Sequence, residues 1–283
     1  MTPNKLLENS FKAWNIFPAA FLNLANRDIS FAKISLDKIS EKDYSNTDTW
    51  RDAFAPFING RAKTYKDEND ITHINVCGTL FQNEAPYIVA AYGGTSYSEL
   101  SSELVDAQEN SKGIFLSIDS PGGHASGNTE ISKLVATSNI PIITHVGDYC
   151  CSAAYAIASG SNYIYANEDS LVGSIGTILP LLDIEGFWED MGIKPDYVTN
   201  KEGILKASGM PPSQTSEERE ALQKETESFF ELFKAHVLKF RDIPNEAITG
   251  EAFVGKYGKE KNLIDGISSK EKAYEKLLNL TRN

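Results

Sequence analysis

GIFLSIDSPGGHASGNTEISKLVATSNIPIITHVGDYCCSAAYAIASG, residues 113–160, contains two short apolar runs, each followed by a helical stretch. GIFLSID (113–119) reads as a buried strand ended by the breaker cluster SPGG. A helix is expected over 126–138, a second strand at IITHV (142–146), and a second helix from 151 to 159. On either side the same alternation continues. ITHINVCGTL (71–80) reads as a strand and SYSELSSELVDAQEN (96–110) as a helix, with further strands at YIYAN (163–167), SIGTILPLLD (174–183) and DYVTN (196–200). Strands alternating with helices imply an α/β fold with a largely parallel sheet covered on both faces.

The clearest helix is 215–240. Thr215 and Glu218 have capping-box spacing, Leu222, Phe229, Phe230, Phe233 and Val237 form an apolar stripe, and Pro244 stops it. Such a stripe more readily packs on a core or a subunit than lines a groove. Residues 1–25 read as an amphipathic helical segment carrying Leu6, Leu7, Phe11, Trp14, Phe17 and Phe21, and 26–70 as a polar, irregular arm.

At 283 residues the chain can bury one large α/β core or two small domains. Its formal charge of −12, from 27 basic and 39 acidic side chains, repels phosphate backbones, so no nucleic acid partner is expected. Cys77, Cys150 and Cys151 are an odd set with one adjacent pair, a poor disulfide framework that points to a reducing compartment. The amino terminus lacks a continuous apolar h-region, and no apolar run approaches the roughly 18–20 residues that span a bilayer. A cytoplasmic protein without a stable membrane anchor is expected.

Three stretches carry candidate chemistry. DSPGGH (119–124) closes an apolar strand with paired glycines, whose N–H groups can face a developing oxyanion. Ser152, in DYCCSAAYAIASG, falls at a strand-to-helix junction in the manner of a nucleophile elbow. KEGILKASGMPP (201–212) offers two lysines: Lys201 beside Asn200 and Glu202, and Lys206 between Leu205 and Ala207, a weakly polar setting suited to a general base. Each stretch alone also has an ordinary reading: a glycine turn, a serine helix cap, solvated lysines.

Taken together, DSPGG, then SAAYAIAS and VGSIGT, then a lysine before a small-residue–Gly–Pro run resemble the signal peptide peptidase A family of serine peptidases. GGTSYSELSSEL (93–104) is similar to its phage branch of capsid assembly (prohead) proteases, and GEAFVGKYGKEKNLIDGISSKEKA (250–273) to the family's closing motif. The resemblance covers roughly residues 71–275. It implies stacked ββα units like those of Clp protease and crotonase, and a Ser–Lys peptidase domain over 71–283 behind the 1–70 arm.

The resemblance further implies Ser152 as nucleophile, Lys206 as general base, Gly122, Gly123 and the Ala153 amide as oxyanion hole, and Ser174 as a support for the lysine. No metal or other cofactor is implied. The implied partners are protein or peptide substrates and further copies of the chain in a homo-oligomeric ring, with active sites shared between protomers. Capsid maturation in the host cytoplasm or procapsid is the implied setting, with signal peptide remnants or protein quality control as alternative roles.

Four departures and rivals accompany this reading. Cys150–Cys151 stand where small residues are usual, which raises a thiol alternative at Cys151. A Clp-like arrangement would need a histidine well after the serine, and His236 is the only one. A crotonase-like acyl-CoA enzyme would need neither Ser152 nor Lys206, and an inactive assembly scaffold would have no reason to keep them with the glycine loop.

Overall fold

The computed structural model describes residues 64–82, 89, 93–181, 185–194, 196–210 and 214–282. The helix read over 1–25 and most of the 26–70 arm lie outside the described residues. In chain order the elements are β1 (Tyr65–Lys66), β2 (Ile71–Phe81), β3 (Thr95–Ser96), α1 (Tyr97–Asn110), β4 (Gly113–Gly123), α2 (Asn128–Ala136), β5 (Ile142–Cys151), α3 (Ala153–Ser159), β6 (Tyr163–Ala166) and β7 (Leu171–Gly173). They continue with α4 (Glu185–Asp190), α5 (Ser216–Phe240), β8 (Ala252–Val254), α6 (Gly255–Glu260), β9 (Gly266–Ile267) and α7 (Lys270–Thr281).

The sheet runs β1-β2-β4-β5-β6-β9, with β3 on β2 and β7 joining β5 to β8. Only the β1–β2 and β7–β8 pairs are antiparallel. Both faces are covered. Ile114, Leu116 and Ile118 of β4 point to a core shared with α1, α2 and α3, while Phe115 points to the other face, against Ala273 and Leu277 of α7. This two-sided burial is why the central strands read as continuous apolar runs.

The closing LIDG segment ties the sheet to its helices. Leu263 and Ile264 are buried, and Tyr155 Oη donates to the Leu263 carbonyl at 2.8 Å. Asp265 Oδ2 accepts the Ile164 N–H at 2.7 Å and Arg241 Nη2 at 2.8 Å, which fixes β6 and the end of α5 together. No helix among the described residues is long and apolar enough to cross a membrane.

Three sequence expectations are corrected. β4 does not stop at Asp119 but continues through SPGG, because Gly122 and Gly123 pair with Thr79 and Leu80 beyond an irregularity between Cys77 and Thr79. A Cβ on Gly123 would sit 2.1 Å from the Leu80 carbonyl oxygen, so only glycine permits the pairing. The described parts of 174–183 and 196–200 are not strands. Ser174 and Ile175 still bond the residues just before β8, Glu251 and Gly250, but the ladder goes no further, and Val198 is 97% exposed. The strand at that position is the short β7, ended by Ser174 at φ 52°.

Residues 65–70 of the expected arm join the sheet and anchor α7. Asp67 accepts from the Asn69 and Ile71 amides, from His73 Nε2 at 2.9 Å, and from Tyr274 Oη. Burial pushes the Asp67 carboxyl up, but these donors outweigh it and hold it below its ordinary value. A depressed folded-state pKa contributes stability that is present above the unfolded value and is lost as pH falls through the folded one. Asp67→Asn is therefore expected to lower the thermal midpoint at neutral pH. Its midpoint should then fall less steeply than that of the native protein below the ordinary aspartate value of 3.8, followed by thermal unfolding across a pH series.

Candidate active site

Ser152 lies between the last residue of β5 and the first of α3, with φ 53° and ψ −124°. This is a sparsely populated backbone region for a residue with a side chain, costing of order 1–3 kcal/mol. Surrounding contacts hold it there: the Ser152 N–H donates to the Gly173 carbonyl at 2.8 Å, and all of α3 is buried. Its hydroxyl makes no capping hydrogen bond to α3, so the helix-cap reading does not describe it. The turn presents the half-buried Ser152 side chain to a cleft of about 770 Å³.

The glycine loop closes on this turn from β4. Gly122 has φ +101°, and a Cβ there would meet the Cys151 carbonyl oxygen and Ser152 Cβ, each at 2.8 Å. Its N–H donates to Ser120 Oγ at 3.1 Å, and Ser120 Oγ in turn donates to the Gly78 carbonyl at 2.6 Å. Gly122 thus shapes the loop, and its own N–H is engaged within it.

Gly123 differs. His124 donates its N–H to Leu80, the residue registered with Gly123. In a parallel ladder this turns the Gly123 N–H away from β2, toward the side where Ser152 lies. The Ala153 N–H sits in the first turn of α3 and has no intrahelical acceptor; the first bond of that helix runs from Ala156 N to the Ser152 carbonyl. Gly123 and Ala153 are therefore the two amides arranged beside the Ser152 side chain.

Ser174 also lines the cleft. Its hydroxyl donates to the Gly250 carbonyl at 3.1 Å and its N–H to the Glu251 carbonyl at 2.8 Å. Lys206 is not brought to Ser152 within one chain. It sits on the exposed 3₁₀ turn Lys201–Ala207, which packs against α5, outside the cleft lining.

The far wall of the cleft comes from α5, through Phe229, Leu232, Phe233 and His236. Phe230 and Phe233 also pack on the core, so the stripe read as core or interface is in addition a groove wall. Burial holds the His236 imidazole below its ordinary value, which leaves it neutral at pH 7. The Cys151 thiol is buried, with Sγ 3.6 Å from the Leu171 carbonyl, and burial pushes it up to about 11. It is a protonated thiol turned toward the sheet, which argues against the thiol alternative.

Sequence reading missed Ser120, Tyr97 and Asn128, buried polar residues that bond the loop and the turn. Ser120 lay inside the quoted DSPGG; nothing in sequence spacing singled out the other two.

A strand-borne glycine loop facing a strained serine turn on a largely parallel sheet has the form that a serine nucleophile with amide oxyanion donors would need. The chain belongs to peptidase family S49, whose model matches residues 135–282 and so includes Ser152 and Lys206. The Clp protease model matches residues 68–172, in keeping with the Clp-like fold class.

An Enterococcus faecium protein bearing the name signal peptide peptidase SppA is 33% identical over 59% of this chain and 50% of its own length. A Methanocaldococcus jannaschii protein named as a protease is 29% identical over 61% of this chain and 57% of its own. The head-tail preconnector protein GP5 of Enterobacteria phage P21 is 27% identical over 72% of this chain and 42% of its own. The chain thus spans about half the length of the curated relatives it matches first.

The Gly122 contact yields a direct test. Gly122→Ala is expected to destabilise the fold by about 1–3 kcal/mol, because a side chain is forced to φ +101° against Ser152. It should also abolish labelling of Ser152 by a serine-reactive phosphonate. Denaturant unfolding and intact mass of the labelled protein measure the two effects.

Proposed function

We propose that this protein is a serine endopeptidase with a Ser–Lys dyad, Ser152 and Lys206, acting on extended protein segments. The observation that carries the reading is the strained Ser152 turn facing the Gly123 and Ala153 amides in a member of peptidase family S49. Neutral Lys206 takes the proton from Ser152 Oγ as that oxygen attacks the peptide carbonyl. The Gly123 and Ala153 N–H groups hold the oxyanion. The lysinium then gives its proton to the leaving amine, and water hydrolyses the acyl-enzyme, restoring both residues. Ser174 lies at the cleft, where its hydroxyl can orient the arriving lysine. The apolar wall from Phe229, Leu232 and Phe233 suits a substrate with small or apolar side chains at the cleavage site.

Lys206 comes from a neighbouring copy in this proposal. Its exposure outside the Ser152 cleft supports that reading. So do the exposed apolar side chains on the same stretch of chain, Ile178, Val198, Ile204, Leu205 and Met210, which a second copy would cover. The likeness to the phage head-tail preconnector protein favours capsid maturation in the host cytoplasm or procapsid over trimming of signal peptide remnants.

One observation favours a second reading: His236 lines the same cleft as Ser152 and is neutral at pH 7, so a Ser–His pairing is the rival. Cleavage of a casein-type substrate, followed by mass spectrometry, separates the two. Ser152→Ala and Lys206→Ala are each expected to lower turnover by about 10³-fold or more, with His236→Gln retaining it. Mixing the two inactive variants after dissociation and reassembly should recover part of the activity. Loss in His236→Gln with retention in Lys206→Ala would replace the lysine by the histidine, and equal activity in all variants would overturn the peptidase mechanism.

A further inference from the structure

The two amides of the proposed oxyanion hole come from different elements, Gly123 from the end of β4 and Ala153 from the start of α3. The β4–β5 ladder makes its last registered pair at Ser120 and Cys150, before either amide is reached. Beyond that pair no strand bonding fixes their separation. Oxyanion donors act at about 2.7–3.1 Å from the developing charge, and a 1 Å misplacement costs about 10²-fold. Something else must hold this geometry.

Two buried side chains span the gap. Tyr97, the first residue of α1, is 3% exposed, and its hydroxyl donates to the His124 carbonyl at 2.7 Å. Asn128, the first residue of α2, is 8% exposed, and its Nδ2 donates to the Ala153 carbonyl at 2.9 Å and to Tyr97 Oη at 3.3 Å. Ser132 Oγ donates to Asn128 Oδ1 at 3.1 Å. The Ala153 carbonyl can only accept, and Tyr97 Oη, having given its proton to His124, also accepts. The orientation of the Asn128 amide is therefore fixed by two acceptors, one on each side of the gap. Burial pushes the Tyr97 phenol up, so its proton stays in place at working pH.

We infer that Tyr97 and Asn128 form a positioning brace that sets the spacing between the glycine loop and the Ser152–Ala153 turn. The brace rests on the peptidase reading for its purpose, while its geometry stands apart from it. Both side chains act through backbone carbonyls: one follows the Gly123 amide by one residue, the other belongs to Ala153 itself.

The test uses the full chain with Tyr97→Phe and Asn128→Asp. Tyr97→Phe keeps the ring and its packing and removes the hydroxyl, and with it both the bond to the His124 carbonyl and the acceptor of Asn128 Nδ2. It is expected to fold and to lower kcat by about 10- to 100-fold with KM within about twofold. Asn128→Asp places a carboxylate against two acceptors and should lose more at neutral pH. Its kcat relative to wild type should rise as pH falls, because the protonated acid regains one donor. Amide hydrogen exchange should quicken in 119–125 and 150–156 in both variants, with the central sheet unchanged.

An unchanged kcat in folded Tyr97→Phe overturns the brace, as does exchange that quickens uniformly or in neither segment. Wild-type protein that cleaves nothing would sink the peptidase reading alone, and the exchange comparison would still decide the brace.

Discussion

The site depends on the close approach of Gly122 to the Ser152 turn. With no side chain, Gly122 lets β4 come within contact of the Cys151 carbonyl and Ser152 Cβ. That contact, the Ser152–Gly173 hydrogen bond and the wholly buried α3 together hold a serine at φ 53°. The small residues of α3 serve the same end. Gly160, at its close, packs where a Cβ would lie 2.7 Å from Ala136 Cβ, so α2 and α3 sit nearly backbone to backbone. Strain of order 1–3 kcal/mol at one residue persists because tight packing on several sides removes the alternatives.

This rigidity is confined to one part of the chain. The apolar runs of β4 and β5 and all of α3 are buried in the core and the glycine loop packs against them, whereas the lysine-bearing turn and the stretch around it are exposed and carry apolar side chains to solvent. In the proposed mechanism the sheet-borne Ser152 and the exposed Lys206 have different requirements. The first needs fixed geometry; the second needs a place to dock that desolvates it, since a lysine can take a proton only in its neutral form. In the proposed mechanism, assembly would supply that desolvation, and a lone protomer would be inactive for an electrostatic reason as well as a geometric one.

The parts legible in the sequence were those set by local pattern. GIFLSID and IITHV, apolar on both faces, could only be buried strands, and Thr215 with Glu218 marked the start of α5. Ser152 and the glycine pair were legible because breakers and small residues interrupt that pattern. What failed to show was set by tertiary partners. The strand reading of SIGTILPLLD and DYVTN followed composition, but a strand needs a continuous partner, and past the bonds of Ser174 and Ile175 to Glu251 and Gly250 neither segment pairs with a strand among the described residues. The α5 stripe was legible as apolar; its second role, as a cleft wall, depends on which surface α5 meets. Tyr97 and Asn128 were invisible for the same reason, since their partners lie 27 and 25 residues away in sequence.

The adjacent Cys151 shows how backbone direction decides which side chain faces the cleft. A thiol is intrinsically the better nucleophile once ionised, and it stands one residue from the serine. Yet Cys151 is the last residue of β5, paired with Gly173 in the ladder, and its side chain is turned toward the Leu171 carbonyl. Burial there pushes its pKa up to about 11, so almost none is thiolate at neutral pH. One residue on, the chain reverses into positive φ, and the serine side chain emerges into the cleft between the Gly123 and Ala153 amides. Exchanging the two residues would put a thiol in the cleft without moving any donor, whereas moving the turn by one residue would bury the hydroxyl and leave the amides facing nothing. The backbone turn, more than the chemistry of either side chain, brings Ser152 and not Cys151 to the cleft.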